Sequence, residues 1–407
     1  MKRYSPNKIQ RSFVIRAGWL IDGTGHETMQ DVVMDVSEGS IISLESGGQC
    51  DHNRETFINC TGCTVIPCLI DSHVHLCMSG TGDALVREKQ LNYSYEDAEK
   101  AISGHLYDHF AHGVLAVRDG GDCAGHVLRY RDESLDSEKV PVFLKSAGKG
   151  WRAGGRYGKL VARTPFPGER LYDAVSRERE PVDHLKIVNS GLASLMEFGK
   201  EGAPQFDFDE LRETVKIADS LGLKTMVHAN GREPVKQAID AGCHSIEHGF
   251  FMGTENIYKM ASAGTTWVPT AYTMKAYAEN PSLPKKERDV ALRNYEHQLR
   301  QIALAVQCGV TIAAGTDSGS NGVNHGAAML CELRALMDAG LSIELAVKCA
   351  TTNGSALLGF DDLMGRLTRR SYATFVVLRG DRSKLPYSLK DPVAIYIQGK
   401  KVFPISP

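Results

Sequence analysis

The sequence predicts an α/β fold, a (β/α)8 TIM barrel joined to a small β-sandwich domain, and three observations support this prediction. Eight short apolar, β-branched runs recur along the middle of the 407-residue chain. Segments with the helical spacing of apolar residues lie between most of these runs, and such alternation is typical of a parallel sheet. The two ends of the chain instead alternate apolar and polar residues between glycine and aspartate turns, as short antiparallel strands do.

The predicted barrel strands are near-continuous apolar runs, which suit strands buried on both faces. They are residues 64–76, 114–121, 140–148, 184–191, 224–231, 245–249, 265–271 and 311–319. The predicted helices include residues 207–222, 233–242, 255–264 and a longer stretch from 284 to 308. Eight such strands over roughly 250 residues fit a closed barrel. A doubly wound open sheet is the alternative, but no G-x-G-x-x-G follows the first strand.

The two chain ends are expected to pair into one domain. Residues 1–62 together with 366–407 form the predicted β-sandwich domain, and residues 63–365 form the predicted barrel. The chain would enter the barrel from this domain and return to it at the end.

The composition restricts the partners and the compartment. The 47 basic and 49 acidic side chains nearly balance, which argues against nucleic acid or an anionic membrane as a partner. No window approaches the ~18 uninterrupted apolar residues of a membrane span, and the basic N-terminal segment lacks a signal-peptide core. Ten cysteines in so long a chain are expected to be reduced. We therefore expect a cytoplasmic protein, a homo-oligomer, that acts on a small molecule.

Polar residues that packing would not require follow the predicted strands. His73 and His75 close the first strand, His228 the fifth, His248 the sixth and Asp317 the eighth. The functional sites of such barrels lie at these carboxyl ends. A single buried histidine is commonly a hydrogen-bonded core residue, but imidazoles and one carboxylate converging on a point are typical of a site for zinc or a similar divalent ion.

Lys186 lies among apolar neighbours in the fourth predicted strand, V-D-H-L-K-I-V-N-S-G (182–191). It could be an ammonium paired with a carboxylate, an amine poised for Schiff-base chemistry, or a lysine carbamylated by carbon dioxide that binds metal as an anion. Burial and nearby metal ions both disfavour the ammonium, and Schiff-base lysines usually lack a histidine cluster. Four other histidines are expected to be structural. His184 lies on the same predicted strand as Lys186, and His105, His109 and His112 lie on a predicted helix.

Several short motifs occur in a specific order along nearly the whole chain. They are I-D-G-T-G (21–25), P-C-L-I-D-S-H-V-H (67–75), V-R-D-G-G (117–121), I-E-H-G (246–249), G-T-D (315–317), A-T-T-N-G-S-A-L-L-G (350–359) and I-Q-G-K-K-V-F (397–403). Together they resemble the amidohydrolase superfamily, in particular its imidazolonepropionase-related branch of prolidase-like and carboxypeptidase-like metal enzymes. Cys68, Ser371, Tyr372 and Thr374 depart from that pattern at local turns only.

The resemblance implies a metal-dependent amidohydrolase with two divalent metal ions, zinc being the expected metal. His73, His75 and Asp317 would hold the more buried ion, His228 and His248 the more exposed one, and carbamylated Lys186 would bridge both. The branch that uses a single metal, which includes imidazolonepropionase and many deaminases, lacks the lysine of the fourth strand. Deaminases commonly carry H-x-x-E after the fifth strand, whereas here Glu233 stands at a different spacing.

The implied reaction is hydrolysis of an amide bond in a peptide-like or N-acyl amino acid substrate by a metal-bridging hydroxide, with the catalytic Asp317 as general base and acid. Prolidase-like relatives often have tyrosine two residues after the histidine of the fifth strand, and this chain has Asn230. Asn230 keeps a lactone or phosphoester substrate open, and a mononuclear deaminase is a further alternative. A scaffold without metal is disfavoured because all six ligand positions are filled.

Further residues are candidates for substrate binding from their position alone. They are Arg118, Arg152, Tyr157, Ser190, Asn230 and His325, with Arg232 and Asn324 beside them. Arg152 lies in a basic, glycine-rich loop (147–159), and it or a neighbour could meet a substrate carboxylate. A flexible, solvated loop is the alternative interpretation.

Overall fold

The computed structural model describes residues 12–48 and 56–404. Parts of the predicted terminal domain, residues 1–11, 49–55 and 405–407, lie outside the described residues, as does Cys50. The first described strands are β1 (Phe13–Leu20), β2 (Met29–Ser37), β3 (Ser40–Ser46) and β4 (Phe57–Pro67).

The middle of the chain alternates short strands with helices. The strands are β5 (Leu69–Val74), β6 (Val114–Asp119), β7 (Phe143–Ser146), β8 (Gly150–Trp151), β9 (Ala162–Arg163), β10 (His184–Val188), β11 (Lys224–Ala229), β12 (Ser245–His248) and β13 (Thr266–Val268). Three more strands follow the helical region: β14 (Phe375–Arg379), β15 (Ala394–Ile397) and β16 (Lys400–Phe403).

The helices follow the predicted apolar spacing. They are α1 (Ala84–Gln90), α2 (Tyr95–Ala111), α3 (His126–Glu133), α4 (Leu171–Arg177), α5 (Phe208–Ser220), α6 (Arg232–Asp240), α7 (Thr254–Ala263), α8 (Tyr272–Glu279), α9 (Lys285–Gln307), α10 (Ala327–Asp338), α11 (Ile343–Lys348) and α12 (Gly354–Leu358). A π-helical turn, Cys349–Asn353, joins α11 to α12, and short 3-10 turns occupy Arg382–Lys384 and Tyr387–Lys390.

Side-chain caps explain where several helices begin. The Asp83 carboxylate accepts hydrogen bonds from the backbone N–H groups of Leu85 and Val86 at the start of α1. Asp207 caps α5 in the same way by accepting from Glu210 N. Such caps satisfy N–H groups that have no partner within the helix.

The two ends of the chain share one seven-stranded sheet, in the order β16-β15-β14-β4-β1-β2-β3. β1 is parallel to β4 and antiparallel to β2, and β14 is antiparallel to β4. The alternating pattern of the sequence buries one face, which includes Ile15, Val32, Met34 and Phe375 at 1% exposure or less.

The chain crosses from this sheet to the parallel strands at Cys68, so the strand predicted over 64–76 is in fact two strands. Residues up to Pro67 pair with β14, whereas Leu69 pairs with Val114 of β6. Cys68 is fully buried between the two sheets. A continuous apolar run gives no sign of this change of partner.

The predicted α/β fold with parallel strands is confirmed. The parallel strands form two sheets, β5-β6-β7 and β13-β12-β11-β10-β8-β9. Every residue of β5, β6 and β10 is buried, as expected for strands covered on both faces. Because the ladders are not continuous, the structure shows these two sheets where the sequence predicted one closed barrel.

The eighth predicted strand, residues 311–319, is not a regular strand. It forms isolated bridges to β13 (Trp267 with Ile312) and to β5 (Val74 with Ser318). The ladder is interrupted because Ala314 N donates to the Cys349 carbonyl and Thr316 N donates to the Asp71 carboxylate. Asp317 also adopts a left-handed φ of 56°.

Two findings concern the whole described part of the chain. Across residues 12–48 and 56–404, no helix combines the length and apolar character that crossing a bilayer requires. The nine cysteines in the same ranges are all free thiols.

Candidate metal centre

The ends of the parallel strands surround a cavity with a volume of about 530 Å³. Five of the six predicted metal ligands line it: His75, Lys186, His228, His248 and Asp317. The sixth, His73, lies beneath them with no exposed surface. The structure therefore brings all six predicted side chains to one place.

His73, His75 and Asp317 form a compact group, with ligand atoms that all lie within 4.8 Å of one another. Asp317 Oδ1 is 3.5 Å from His73 Nε2 and 3.4 Å from His75 Nε2. Zinc bonds of about 2.0–2.2 Å at tetrahedral angles place neighbouring ligand atoms roughly 3.4 Å apart. The spacing of these three atoms fits a shared metal ion better than direct hydrogen bonds.

His228 and His248 form a second group beside the first, with ring centroids 4.6 Å apart. The His248 ring is 5.0 Å from the His73 ring. Lys186, only 2% exposed, places its Nζ 3.5 Å from His73 Nε2. The six residues thus form two neighbouring groups, and the amine of Lys186 lies against the first.

The rings of His73 and His75 are oriented by acceptors behind them. His73 Nδ1 donates to the Glu247 carboxylate at 2.8 Å, and His75 Nδ1 donates to the Gly121 carbonyl at 3.2 Å. Each contact leaves Nε2 facing Asp317. A Cβ at Gly120 would lie 2.6 Å from His75 Cε1, so this close approach requires glycine.

The rings of His228 and His248 are held in a comparable way. His228 Nε2 donates to the Gly191 carbonyl at 3.0 Å, and His248 Nδ1 lies 2.8 Å from Thr270 Oγ1. One ring nitrogen of each histidine is thereby fixed and the other is left for a ligand. Metal-binding histidines are oriented by such outer hydrogen bonds, so the donor set fits a metal site.

Burial sets the ionisation of these groups. It lowers the pKa of His75 and of His228 to about 3, and it lowers the pKa of Lys186 to about 8. Burial also raises the pKa of Asp317 to about 6. The imidazoles are therefore neutral, which is the form that binds metal.

Two of the predicted ligands have a backbone conformation that is uncommon for residues other than glycine. His248 has a φ of 68° and Asp317 a φ of 56°, both in the left-handed region. Such conformations cost on the order of 1–3 kcal/mol and cluster at functional sites. Here they direct both side chains from the strand ends into the cavity.

Glu247 was not identified from the sequence, although it is fully buried beneath the centre. It accepts from His73 Nδ1 and from Ser245 Oγ, and it pairs with Arg118 Nη2 at 2.8 Å. The available signal was a charged residue inside a short apolar strand, which is also what made Lys186 conspicuous.

Replacing Glu247 with glutamine is expected to weaken metal binding about 10–100-fold, because glutamine has one neutral acceptor oxygen, whereas the carboxylate offers one oxygen to His73 and the other to Arg118. It should also lower the free energy of unfolding by about 3–5 kcal/mol, since Arg118 would be left buried without its counter-charge. Metal titration and chemical denaturation measure these effects. Glu133→Gln on α3, where the side chain is 57% exposed, is the control. Unchanged metal affinity in Glu247→Gln would contradict the role assigned to Glu247.

Two of the residues predicted to bind substrate line the cavity. The Tyr157 ring lies 5.4 Å from the His228 ring, and both Tyr157 and Asn230 belong to the cavity wall. Asn230 is held by donating to the Gly191 carbonyl and accepting from Phe250 N.

The other candidates lie outside the cavity wall formed by the described residues. Arg118 is 3% exposed and forms an ion pair with Glu247. Ser190 Oγ donates to the Gly191 carbonyl, and Arg152 Nη1 donates to the carbonyls of Ala153 and Arg156. Arg232 and Asn324 are exposed and also lie outside the wall.

His325 also lies outside the cavity, because other histidines engage it. Its ring stacks on His105 at 4.1 Å, its Nδ1 lies 3.2 Å from His109 Nε2, and its Nε2 donates to the Met78 carbonyl. Neither ring nitrogen is free for a substrate. No local pattern in the sequence indicates that His105 and His109 of α2 would contact His325, two residues before α10 begins.

Comparison with known proteins agrees with the geometry of the site. A family model described as the amidohydrolase family matches residues 64–402. The imidazolonepropionase of Salinispora arenicola is 24% identical over 338 residues, which cover 79% of each chain. The ochratoxinase of Aspergillus niger is 28% identical over 397 residues, with 89% of this chain and 80% of the relative covered.

A solved structure is also similar over nearly the full length. The structure of a Xaa-Pro dipeptidase with methionine bound in its active site has a TM-score of 0.80 and is 26% identical, with 96% of this chain and 99% of that chain covered. Since the family model spans most of the chain, the protein belongs to the amidohydrolase family, in its prolidase-like branch, and is a metal-dependent hydrolase.

Proposed function

We propose that the protein hydrolyses the amide bond of a small peptide-like or N-acyl amino acid substrate at a binuclear metal centre. The observation that carries this proposal is the arrangement of the six ligand side chains in two adjoining groups with the buried Lys186 amine beside them. A single ion would leave one of these groups without a role.

In this proposal, His73, His75 and Asp317 would hold one ion, and His228 and His248 would hold the other. Lys186, carbamylated by carbon dioxide, would be a ligand shared by the two ions. A carbamate is favoured over an ammonium because a positive charge here would be buried and would face two cations. Zinc is the metal we expect, since imidazole nitrogens and carboxylate oxygens are its usual ligands.

We also propose that the parallel strands form a closed (β/α)8 barrel over residues 63–365, with residues 1–62 and 366–407 as a separate β-sandwich domain. Hydrogen bonds between the two parallel sheets support the closure. Asp183 N donates to the Ser146 carbonyl, which links the strand region of β7 to that of β10. On the other side, Ser72 N donates to the Ala314 carbonyl and Ala313 N to the Trp267 carbonyl.

When bound, the metal ions would supply a hydroxide nucleophile at neutral pH and polarise the scissile carbonyl. Asp317 is placed to move the proton. Its Oδ1 faces His73 and His75, while its Oδ2 accepts from Ser320 Oγ at 2.9 Å. The carboxylate can take a proton from the attacking water and return it to the leaving amine, so no nucleophilic side chain is needed.

The substrate class rests on the cavity and on the relatives. A volume of about 530 Å³ suits a small molecule. The similar Xaa-Pro dipeptidase is named for cleaving a dipeptide, which supports an amide substrate here. The near balance of 47 basic and 49 acidic residues gives a net charge close to zero, which argues against nucleic-acid partners, and we expect a cytoplasmic homo-oligomer.

A panel of substrates tests the proposal. Zinc-loaded enzyme is assayed with dipeptides, N-acyl amino acids, lactones and phosphoesters, and ammonia release is followed in parallel. We expect turnover of dipeptides or N-acyl amino acids and no ammonia from aminated heterocycles. Turnover confined to lactones or phosphoesters would replace the amide assignment, and ammonia release would favour the mononuclear deaminase.

A further inference from the structure

Arg87 directs a guanidinium into the cavity from α1. Its Nη1 donates to the carbonyls of Ser79 at 2.8 Å, Gly319 at 3.1 Å and Thr81 at 3.4 Å. Within residues 12–48 and 56–404, these are its hydrogen bonds, and no carboxylate lies within ion-pair distance of it. Its Nε and Nη2 groups are therefore open to an anion from outside the protein.

The guanidinium lies close to the residue that moves the proton. The Gly319 carbonyl that it contacts is two residues beyond Asp317, and Ser320 Oγ, one residue further, donates to Asp317 Oδ2. Asp317 is committed to the metal centre. A partly buried cation beside it gains from a further negative charge.

Tyr277 on α8 belongs to the same cavity wall. Its phenol and the Arg87 guanidinium are close enough to affect each other's ionisation. Burial raises the pKa of Tyr277 to about 12, so the hydroxyl keeps its proton and can donate. A guanidinium and a phenol donor together match the two oxygens of a carboxylate.

The remaining wall offers less for an anion. Arg156 and Lys159 are exposed at the rim, and Arg156 Nη2 donates to the carbonyls of Ala203 and Pro204. Much of the rest is apolar, including Met78, Leu91, Val188, Phe250 and Met274. Away from the metal centre and the exposed rim, the cavity thus combines the charged corner at Arg87, beside Asp317, with largely apolar walls.

We infer that Arg87 and Tyr277 bind a free carboxylate on the amine side of the scissile bond, and that the apolar wall receives the acyl portion. In an N-acyl amino acid or a dipeptide, one carbon separates the scissile nitrogen from this carboxylate. The leaving nitrogen would then meet Asp317 while the carboxylate meets Arg87. This assignment rests on the proposed amide hydrolysis, and it restricts the substrate to amides that release an amino acid.

A matched substrate pair tests the inference: an N-acyl amino acid and its carboxamide, which differ only in the charge at that end. For the wild-type enzyme we expect kcat/KM to favour the carboxylate by about 10–100-fold, as charge-assisted hydrogen bonds provide. Arg87→Ala should lose this preference, mainly through KM, and Arg87→Lys should recover part of it. Tyr277→Phe should lose a smaller part of the preference for the carboxylate substrate than Arg87→Ala does.

The controls separate binding from folding and from the proposed function. Arg334→Ala changes an arginine on α10 that pairs with Asp338. It should leave unchanged the ratio of kcat/KM for the carboxylate substrate to kcat/KM for the carboxamide. If neither amide is cleaved by the wild-type enzyme, the proposed function fails, and the inference fails with it. If both are cleaved equally well, or if Arg87→Ala slows both equally, the carboxylate site is refuted while amide hydrolysis stands. The Arg87 site would also be refuted if Arg156→Ala lost the preference for the carboxylate substrate while Arg87→Ala kept it.

Discussion

Asp317→Asn is expected to lower kcat by about 10²–10⁴-fold, the usual contribution of a positioned proton acceptor. The asparagine amide preserves the shape of the side chain and an oxygen that can face His73 and His75. It cannot accept the proton of the attacking water or return it to the leaving amine. Steady-state kinetics on metal-loaded enzyme, with metal content measured in the same preparation, gives the result.

Ser320→Ala is the matched control for Asp317→Asn. It removes the 2.9 Å hydrogen bond to Asp317 Oδ2 and leaves the Asp317 carboxylate in place, and a net loss of about 0.5–1.5 kcal/mol corresponds to a several-fold effect. Full turnover by Asp317→Asn with its metal bound would show that another group moves the proton.

Lys186→Met is expected to lower turnover at least 10²-fold, because it removes a ligand shared by both ions. Loss of a residue that only orients a ligand already weakens metal affinity ~10–100-fold, and loss of the ligand itself should cost more. Metal content per chain should fall below that of the wild-type protein. The metal-free variant should be at least as stable as the metal-free wild type, since replacing a buried charge with an apolar side chain is often neutral or stabilising.

Lys145→Met is the comparison for this variant. Lys145 lies on β7, is 19% exposed and pairs with Asp183 at 3.4 Å, so it is a lysine of a neighbouring parallel strand that does not line the cavity. We expect it to keep both turnover and metal. Retention of full metal content by Lys186→Met would argue against a bridging role for Lys186.

The class of fold and the candidate ligand residues that the structure brings together could be predicted from the sequence because both depend on local patterns. Buried parallel strands appear as apolar runs, and Lys186 was conspicuous because a charge interrupts such a run. His73 and His75 were recognisable since they end a strand. The family membership and the parallel α/β fold that these patterns indicated are confirmed.

The remaining features depend on contacts between distant segments. The eighth strand is irregular because Cys349 and Asp71 take its backbone donors, and no local pattern shows this. His325 is held by histidines of α2, over 200 residues earlier in the chain. Arg87 and Tyr277 lie on helices, where a charged or aromatic residue on the exposed face is ordinary.

The binuclear centre is tested most directly by a crystal structure of the metal-loaded enzyme, with anomalous scattering recorded at the metal absorption edge. We expect two anomalous peaks, one among His73, His75 and Asp317 and the other beside His228 and His248, with density for a carboxylate group on Lys186 Nζ between them. A single peak with a free amine at Lys186 would contradict the two-metal account and favour the mononuclear alternative.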